Sequence, residues 1–345
     1  MTAYVARFDD LGLDDVALVG GKSAHLADLL RAGFPVPPGF AVTTTAFEVV
    51  LHDELHELVD ALVADVDPED TSTLESKAAH IREVVEELEV PAPVSDAVTR
   101  AYVALAAGVG VDDPPVAVRS SAVAEDSADA SFAGMQSTYL WLRGADDVLA
   151  GVRRCWASYF NAEALAYRAR HGAHAGGMSV AVQVMVDARV AGVMFTLNPV
   201  SGDPSSIALD ASYGLGVTVV GGDVTPDSFL YSKVTREIIR SELGTKEIEC
   251  VADLAAGATV VRDVPAELRA RLCLVPAEVE ALAELGRRIE QHYGRAQDVE
   301  LAIARTTGEV LLLQSRPETV WAARRRPPVT SDPLSRIAAA YLPKR

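Results

Sequence analysis

Hydrophobic and polar positions divide this chain into helical and extended stretches. Between residues 46 and 107, apolar side chains recur at helical spacing, with interruptions at the acidic segment 65–70 and at Pro91 and Pro93. Further helices are predicted at 146–171 and 276–293, strands at 114–121, 139–142, 179–186 and 191–196, and a hairpin over 229–241. The proline-rich segment 34–43 is predicted to be an extended edge segment that leads into the next helix.

A second hairpin is predicted near the C-terminal end of the chain. Two strand-compatible runs, 298–304 and 309–316, flank a short turn that contains Gly308. A three-residue loop with Gly308 in the left-handed conformation fixes the register, which pairs Arg305 with Glu309, Glu300 with Gln314, and Asp298 with Arg316. Because side chains alternate along a strand, the four polar residues nearest the open end of the hairpin would share one face.

This polar face needs an explanation, because the residues between its members are apolar enough to place the hairpin in a core. Two acids, an amide and a guanidinium on a buried sheet are costly unless they bind something or pair with one another. Carboxylate and amide oxygens suit magnesium, and a guanidinium suits a phosphoryl group. The alternative is a cross-strand salt bridge between Asp298 and Arg316 on a solvated edge.

Two glycine-containing segments earlier in the chain have the composition of phosphate-binding sites. Gly20-Gly21-Lys22-Ser23 is predicted to open a helix that ends at Gly33, so that backbone amides and a lysine meet at a helix start. The segment 131–138, with Gly134 among small hydroxyl residues, follows a strand that ends at Arg119-Ser-Ser121 and has the composition of a lid over an anion. An ordinary turn and an ordinary hairpin loop are the respective alternatives.

Composition excludes some classes of function. The formal net charge is −18, from 49 acidic against 31 basic residues, so the surface repels nucleic acid and anionic membranes. No apolar signal region or membrane-spanning stretch is present in the sequence, and a cytoplasmic protein is the expectation. Cys155, Cys250 and Cys273 are odd in number and widely spaced, which predicts buried thiols rather than disulfides or a zinc site.

Seven ordered motifs together resemble one known family. They are Gly21-Lys22-Ser23 with Pro35-Val-Pro-Pro-Gly-Phe40, Val118-Arg-Ser-Ser121 with Glu125-Asp126, Ser131-Phe-Ala-Gly134, Asn198-Pro199, Tyr213-Gly-Leu-Gly216, Thr225-Pro-Asp227, and Gln314-Ser-Arg-Pro317. Over roughly residues 2–322 the chain resembles the nucleotide-binding domain of the pyruvate phosphate dikinase and phosphoenolpyruvate synthase family, which rifampicin phosphotransferase and phenylphosphate synthase also carry.

The resemblance implies a fold and a domain division. The fold would be α+β, an ATP-grasp with ATP held between two lobes. The N-terminal lobe would span residues 1–183 and the C-terminal lobe 184–322, with a linker-like tail at 323–345.

The resemblance also assigns candidate site residues. Lys22, Arg119 and Arg316 would contact the phosphates and act in catalysis. Glu300 and Gln314 would hold magnesium, with Asp298 beside them. The remaining ATP contacts would come from the lid residues Gly134, Met135 and Thr138 and from the strand residues Gln183, Val184 and Met185, which would meet adenine through backbone groups.

Two residues depart from the family pattern. Val217 stands where the family often has glutamate after Gly-Leu-Gly, so the contacts of that acid are lost or relocated. Met135 replaces a common glutamine in the lid, which affects the side-chain contacts of the lid and not its amides.

Family members pass phosphate from ATP through a carrier histidine on a swivelling domain to an acceptor in a third domain. None of the seven histidines has the expected Gly-Gly-x-x-Ser/Thr-x-His context, and Gly176-Gly177-Met-Ser179 has the glycines alone. The expectation is an ATP- and magnesium-dependent phosphotransferase part that forms AMP and needs carrier-histidine and acceptor-binding domains or subunits. A self-contained, ADP-forming small-molecule kinase and a non-catalytic ATP sensor are the alternatives, and the final acceptor stays open.

Overall fold

The computed structural model describes residues 4–51, 53–64, 66–123, 137–171, 177–253 and 257–321. The strands are β1 (Val5–Arg7), β2 (Gly39–Val42), β3 (Val116–Ala122), β4 (Thr138–Leu142), β5 (Met178–Val184), β6 (Ala188–Phe195), β7 (Ser206–Tyr213), β8 (Asp227–Ser232), β9 (Glu237–Glu242), β10 (Ile248–Asp253), β11 (Ala258–Asp263), β12 (Gln297–Ala304) and β13 (Val310–Pro317). The helices are α1 (Val16–Arg31), α2 (Thr44–Val50), α3 (Asp53–Val63), α4 (Thr71–Glu87), α5 (Ala92–Val109), α6 (Gly144–Ala157), α7 (Ala162–His171), α8 (Val217–Val220), α9 (Ala266–Arg269) and α10 (Pro276–Tyr293). The protein is therefore α+β.

Local signals in the sequence set the helix ends. The Asp70 carboxylate accepts a hydrogen bond from the Thr73 amide, which caps α4 after the acidic segment. Gly33, as predicted, follows α1 with φ +79°, and its amide bonds to the Leu30 carbonyl in the turn that ends the helix. The helical prediction for residues 46–107 is thus confirmed in α2 to α5.

The single helix predicted at 146–171 is wrong. The structure has two helices there, α6 and α7, separated by residues 158–161. The Asn161 side chain accepts a hydrogen bond from the Ala164 amide at 2.7 Å, so it caps a new helix instead of continuing the old one. Tyr159 and Phe160 are buried at the break, which explains why the apolar spacing continued across it.

The strands form two large antiparallel sheets and a small one. The first sheet has the order β1-β2-β5-β3-β4, the second β13-β12-β6-β7-β8-β9, and β10 pairs with β11. The segment 34–43 is extended and leads into α2, but its prediction as an edge is wrong because β2 lies between β1 and β5. The antiparallel pair β8 and β9 confirms the hairpin predicted over 229–241.

Helix α1 lies between the two large sheets. Phe40 and Val180 of the first sheet join a core with helices α2 to α7, whereas Ala41 and Ala181 join a second core. That second core also contains α1 and residues of the second sheet. The alternation of side chains along β2 and β5 therefore lets one sheet support two cores. The division of the chain at residue 183 stays a prediction.

The structure also bears on two expectations from the sequence. All three cysteines are free and buried, as predicted. Within the described ranges, no helix combines the length and the apolar character needed to cross a bilayer.

Candidate functional site

The hairpin of β12 and β13 has the predicted polar pairs, although its turn differs from the prediction. Asp298 lies opposite Arg316, and Glu300 lies opposite Gln314. The Ala304 amide, however, bonds to the carbonyl of Glu309. The loop is therefore 305–308, four residues long, and the predicted pairing of Arg305 with Glu309 is wrong. Gly308 has φ +70°, in the left-handed region as predicted.

A β-bulge restores the predicted register. The pairing shifts between Glu300 and Leu301, so that Leu301 faces Leu312 and Leu313 is the extra residue on β13. The Leu313 carbonyl accepts a hydrogen bond from Nη1 of Arg119 at 3.1 Å. Nη2 of Arg119 also lies 3.5 Å from a carboxylate oxygen of Glu300. Through the bulge, the hairpin thus contacts the first sheet at its predicted arginine.

A cavity of about 310 Å³ lies between the two large sheets and collects most of the predicted residues. The predicted site residues that line it are Lys22, Arg119, Thr138, Gln183, Val184, Met185, Glu300 and Gln314. They come from α1, from three strands of the first sheet together with the residue that follows β5, and from the hairpin. Its volume is that of a small-molecule site.

Among the described residues, two predicted site residues, Asp298 and Arg316, do not line this cavity. Asp298 and Arg316 form a cross-strand ion pair, in which both Nε and Nη2 of the arginine lie 2.7 Å from one carboxylate oxygen. Burial raises the pKa of the Asp298 carboxyl, and the guanidinium opposes that shift. The predicted lid residues Gly134 and Met135 lie outside the described residues.

Lys22 reaches the cavity from an interrupted helix. Gly20 has φ +70° and ψ +164°, so α1 breaks there and restarts, in line with the prediction that the glycine pair opens a helix. The Lys22 ammonium group donates to the Ser120 carbonyl at 2.9 Å, and the side chain is largely buried. Lys22 and Arg119 thus place two positive charges at the cavity, although the net charge of the whole chain is −18.

Two backbone N–H groups of the residues predicted to contact adenine are engaged in hydrogen bonds within the protein. The Val184 amide donates to the Pro38 carbonyl, and the Met185 amide donates to the Pro115 carbonyl, at 2.9 and 2.8 Å. The Gln183 side chain donates to the Pro37 carbonyl. A ligand at this strand can therefore use carbonyl oxygens but not these two N–H groups.

Much of the cavity wall was not predicted from the sequence. The additional apolar lining includes Leu140, Ala188, Ala191, Leu215, Val217 and Val220. Leu215 belongs to the Tyr213-Gly-Leu-Gly216 motif, which was the one available signal, and Val217 is the departure that follows it. Leu140 and the alanines carry no signal of their own, because apolar residues in strands are far more often core.

Two oxygen donors on the hairpin are the candidates for binding a metal ion. Among the residues that the structure describes, no group of three or more histidine, cysteine, aspartate or glutamate side chains could hold a metal ion. Glu300 and Gln314 offer one carboxylate and one amide oxygen from neighbouring strands. That donor set fits a hard cation that takes its remaining ligands from phosphate and water.

Known proteins with similar sequences have names related to phosphoenolpyruvate synthesis. The chain is 45% identical over 322 residues to a probable phosphoenolpyruvate synthase of Methanothermobacter thermautotrophicus, which covers 92% of this chain and 46% of that protein. It is 42% identical over 341 residues to the phosphoenolpyruvate synthase of Pseudomonas aeruginosa, covering 93% and 42%. For the phosphoenolpyruvate synthase of Pyrococcus furiosus the identity is 35% over 356 residues, covering 92% and 44%.

These comparisons establish the family and also the extent of the match. The chain spans less than half the length of these curated relatives. The family described as the pyruvate phosphate dikinase AMP/ATP-binding domain matches residues 16–333, which is most of the sequence. The chain therefore belongs to the pyruvate phosphate dikinase AMP/ATP-binding domain family.

Proposed function

We propose that this chain binds ATP with magnesium in the cavity between its two large sheets and transfers a phosphoryl group to a histidine on a separate domain or subunit. The observation that carries the proposal is the meeting of two cations, Lys22 and Arg119, with two oxygen donors, Glu300 and Gln314, around one cavity. Phosphoryl transfer depends mainly on such charge neutralisation and positioning. The match to an AMP/ATP-binding domain family supports ATP as the ligand.

The proposed fold is an ATP-grasp, with the nucleotide between two lobes. A cavity lined by residues of both sheets supports this assignment. The proposed lobes remain 1–183 and 184–322, followed by the tail at 323–345. The place of α1 between the sheets means that the lobes would share a core rather than fold separately.

Magnesium would be held by Glu300 and Gln314 and by phosphate oxygens. When bound, it would neutralise phosphate charge. Asp298 is a weaker candidate ligand, because its carboxylate is engaged by Arg316 and does not line the cavity. Arg316, half exposed at the end of the hairpin, would reach a terminal phosphate only by leaving this pair.

In the proposed reaction, the partner histidine attacks the β-phosphorus of ATP. The bond from that phosphorus to the oxygen bridging it to the α-phosphorus breaks, and AMP leaves. The terminal phosphoryl group is then taken by water or inorganic phosphate, and the phosphohistidine passes its phosphoryl group to a small-molecule acceptor. Lys22 and Arg119 would bind and orient the phosphates. Removing one such contact is expected to cost about 2–4 kcal/mol of transition-state stabilisation.

The product nucleotide tests this proposal. The purified chain is incubated with ATP and magnesium, with and without a separately expressed carrier-histidine domain from one of the longer relatives, and nucleotides are separated by chromatography. Glu300→Gln removes the charge of the proposed metal ligand. Glu309→Gln is the matched control, because it changes an exposed glutamate on the same hairpin outside the cavity.

We expect AMP only when the carrier domain is present, at an unchanged rate in Glu309→Gln and at a strongly reduced rate in Glu300→Gln. ADP formed with a small acceptor and no partner would replace this proposal with a self-contained kinase. Tight ATP binding with no turnover under any condition would replace it with an ATP sensor.

A further inference from the structure

The break in α1 brings the helix against strand β3. Gly20 adopts φ +70°, and a Cβ atom added there would lie 2.1 Å from the backbone oxygen of Ser121. No side chain fits in that space, so only glycine permits this approach. Helix α1 therefore breaks where it touches Ser121.

The hydroxyl group of Ser121 replaces the hydrogen bond that the break removes. In an uninterrupted α-helix, the Ser23 amide would donate to the Val19 carbonyl. Here the Ser23 amide donates to the Ser121 hydroxyl at 3.2 Å, and that hydroxyl donates to the Val19 carbonyl at 2.9 Å. Ser121 is fully buried and lies 98 positions after Ser23 in the chain. A side chain from a distant strand thus joins the two halves of the helix.

Ser121 and its neighbour Ser120, both in β3, hold Lys22 in place. The residue after Lys22, Ser23, donates its amide hydrogen bond to the Ser121 hydroxyl, which holds the backbone at the lysine. The ammonium group of Lys22 donates to the carbonyl of Ser120 at 2.9 Å. Two attachments, one at the backbone and one at the end of the side chain, restrict where the lysine can point. In this position Lys22 lines the cavity.

We propose that Ser121 is a positioning residue for Lys22, whose hydroxyl fixes the broken helix so that the lysine charge faces the phosphates of the nucleotide. The proposal rests on the proposed function, because it takes the cavity ligand to be ATP. Ser121 does not line the cavity and acts only through Lys22. Its loss should therefore affect phosphate binding and leave the binding of the nucleoside unchanged.

The test compares ATP and adenosine binding by calorimetry in the full chain, in Ser121→Ala and in a control. Ser179→Ala is the matched control, because Ser179 is fully buried, lies opposite Ser121 on β5, and has a hydroxyl with no hydrogen-bond partner among the described residues. We expect Ser121→Ala to weaken ATP binding about 5- to 20-fold, as for a lost hydrogen bond next to a charged group. Adenosine binding should change less than twofold, and neither ligand should respond to Ser179→Ala.

A second comparison separates positioning from general destabilisation. In the Lys22→Met background, Ser121→Ala should change ATP affinity less than twofold, because the charge that it positions is gone. An equal loss for ATP and adenosine, or a full additional loss in the Lys22→Met background, would overturn the proposal. If Ser121→Ala does not fold, Ser121→Cys provides the same comparisons with a side chain of similar shape and weaker hydrogen bonds.

A chemical measurement keeps this proposal distinct from the proposed function. If the unmodified chain binds no ATP, the proposed function fails, and the acetylation rate of Lys22, measured by mass spectrometry relative to Lys233, judges the positioning alone. The rate at Lys22 should rise several-fold in Ser121→Ala, since the backbone attachment would be gone and the bond to the Ser120 carbonyl would be left as the only one of the two. An unchanged rate would overturn the positioning role.

Discussion

The buried pair of Asp227 and Lys246 allows a sharp prediction about stability. Both side chains are fully buried, and the ammonium group of the lysine bonds to one carboxylate oxygen. The same carboxylate accepts hydrogen bonds from the Gly244 amide at 2.8 Å and the Cys273 amide at 2.6 Å. Asp227 thus ties β8 to two later segments of the chain, which gives a structural role to the Thr225-Pro-Asp227 motif.

Asp227→Asn removes the charge and leaves the ammonium group of Lys246 buried without a counter-charge. Breaking one side of a buried pair costs about 3–5 kcal/mol, because the remaining charge stays desolvated. Adding Lys246→Met should recover about 2 kcal/mol of that loss, because no unpaired charge then stays buried. The double variant should still lie about 1–3 kcal/mol below the unmodified chain, since one asparagine oxygen must serve two amides.

Urea unfolding, followed by fluorescence and circular dichroism, measures these differences. Glu284→Gln is the control, because it breaks the exposed pair of Glu284 and Arg287 and should cost at most about 1 kcal/mol. If Asp227→Asn costs as little as Glu284→Gln, or if the double variant is less stable than the single one, the ion pair does not hold this region together.

Three further predictions concern the site and the interior. Glu300→Gln should lower the rate of AMP formation by about 10²–10³, whereas Asp298→Asn should lower it less than tenfold, since only Glu300 lines the cavity; equal losses would show that both bind the metal. Burial raises the pKa of the Cys155 thiol to about 12, so that thiol should resist aromatic disulfide reagents at pH 8 until urea unfolds the protein, and a rapid native reaction would contradict its burial. Gly33→Ala should cost about 1–2 kcal/mol of unfolding free energy, because the new Cβ atom meets open space and only the left-handed backbone is strained. Gly20→Ala should cost more in the same urea experiment, because its Cβ atom would also lie 2.1 Å from the backbone oxygen of Ser121. Equal losses would show that the break in α1 adapts to the added atom.

The hairpin shows how far the sequence could predict the site. The pairs at Glu300 and Asp298 were predicted correctly, but from a turn that was one residue too short and without the bulge. The two errors cancel, because the extra loop residue is matched by the extra residue at Leu313. Nothing in the run of four apolar residues on β13 indicates which of them is the extra residue of the bulge. That residue, Leu313, is distinguished by its contact with Arg119, which is distant in the sequence.

The hairpin of β10 and β11 escaped prediction for a different reason. Strand β11 is exposed along its whole length, so no buried face imposes the alternation of apolar and polar residues from which strands are recognised. The break between α6 and α7 escaped because buried aromatic residues continued the helical spacing through it. In both places the hydrophobic pattern of the sequence reports which residues are buried, and the buried residues do not coincide with the ends of the helices and strands.

The end of β3 explains why local patterns found the parts of the site but not their arrangement. Arg119, Ser120 and Ser121 are consecutive, and each makes a different contact: Arg119 with the bulge of β13, Ser120 with the ammonium group of Lys22, and Ser121 with the break in α1. In the sequence they are only a strand end with an arginine and two serines. The contacts span 98 to 194 positions of the chain, so no window of sequence contains both partners. If the proposed function holds, β3 carries one phosphate contact, Arg119, and holds a second, Lys22, so that a single strand would fix two positive charges beside the triphosphate.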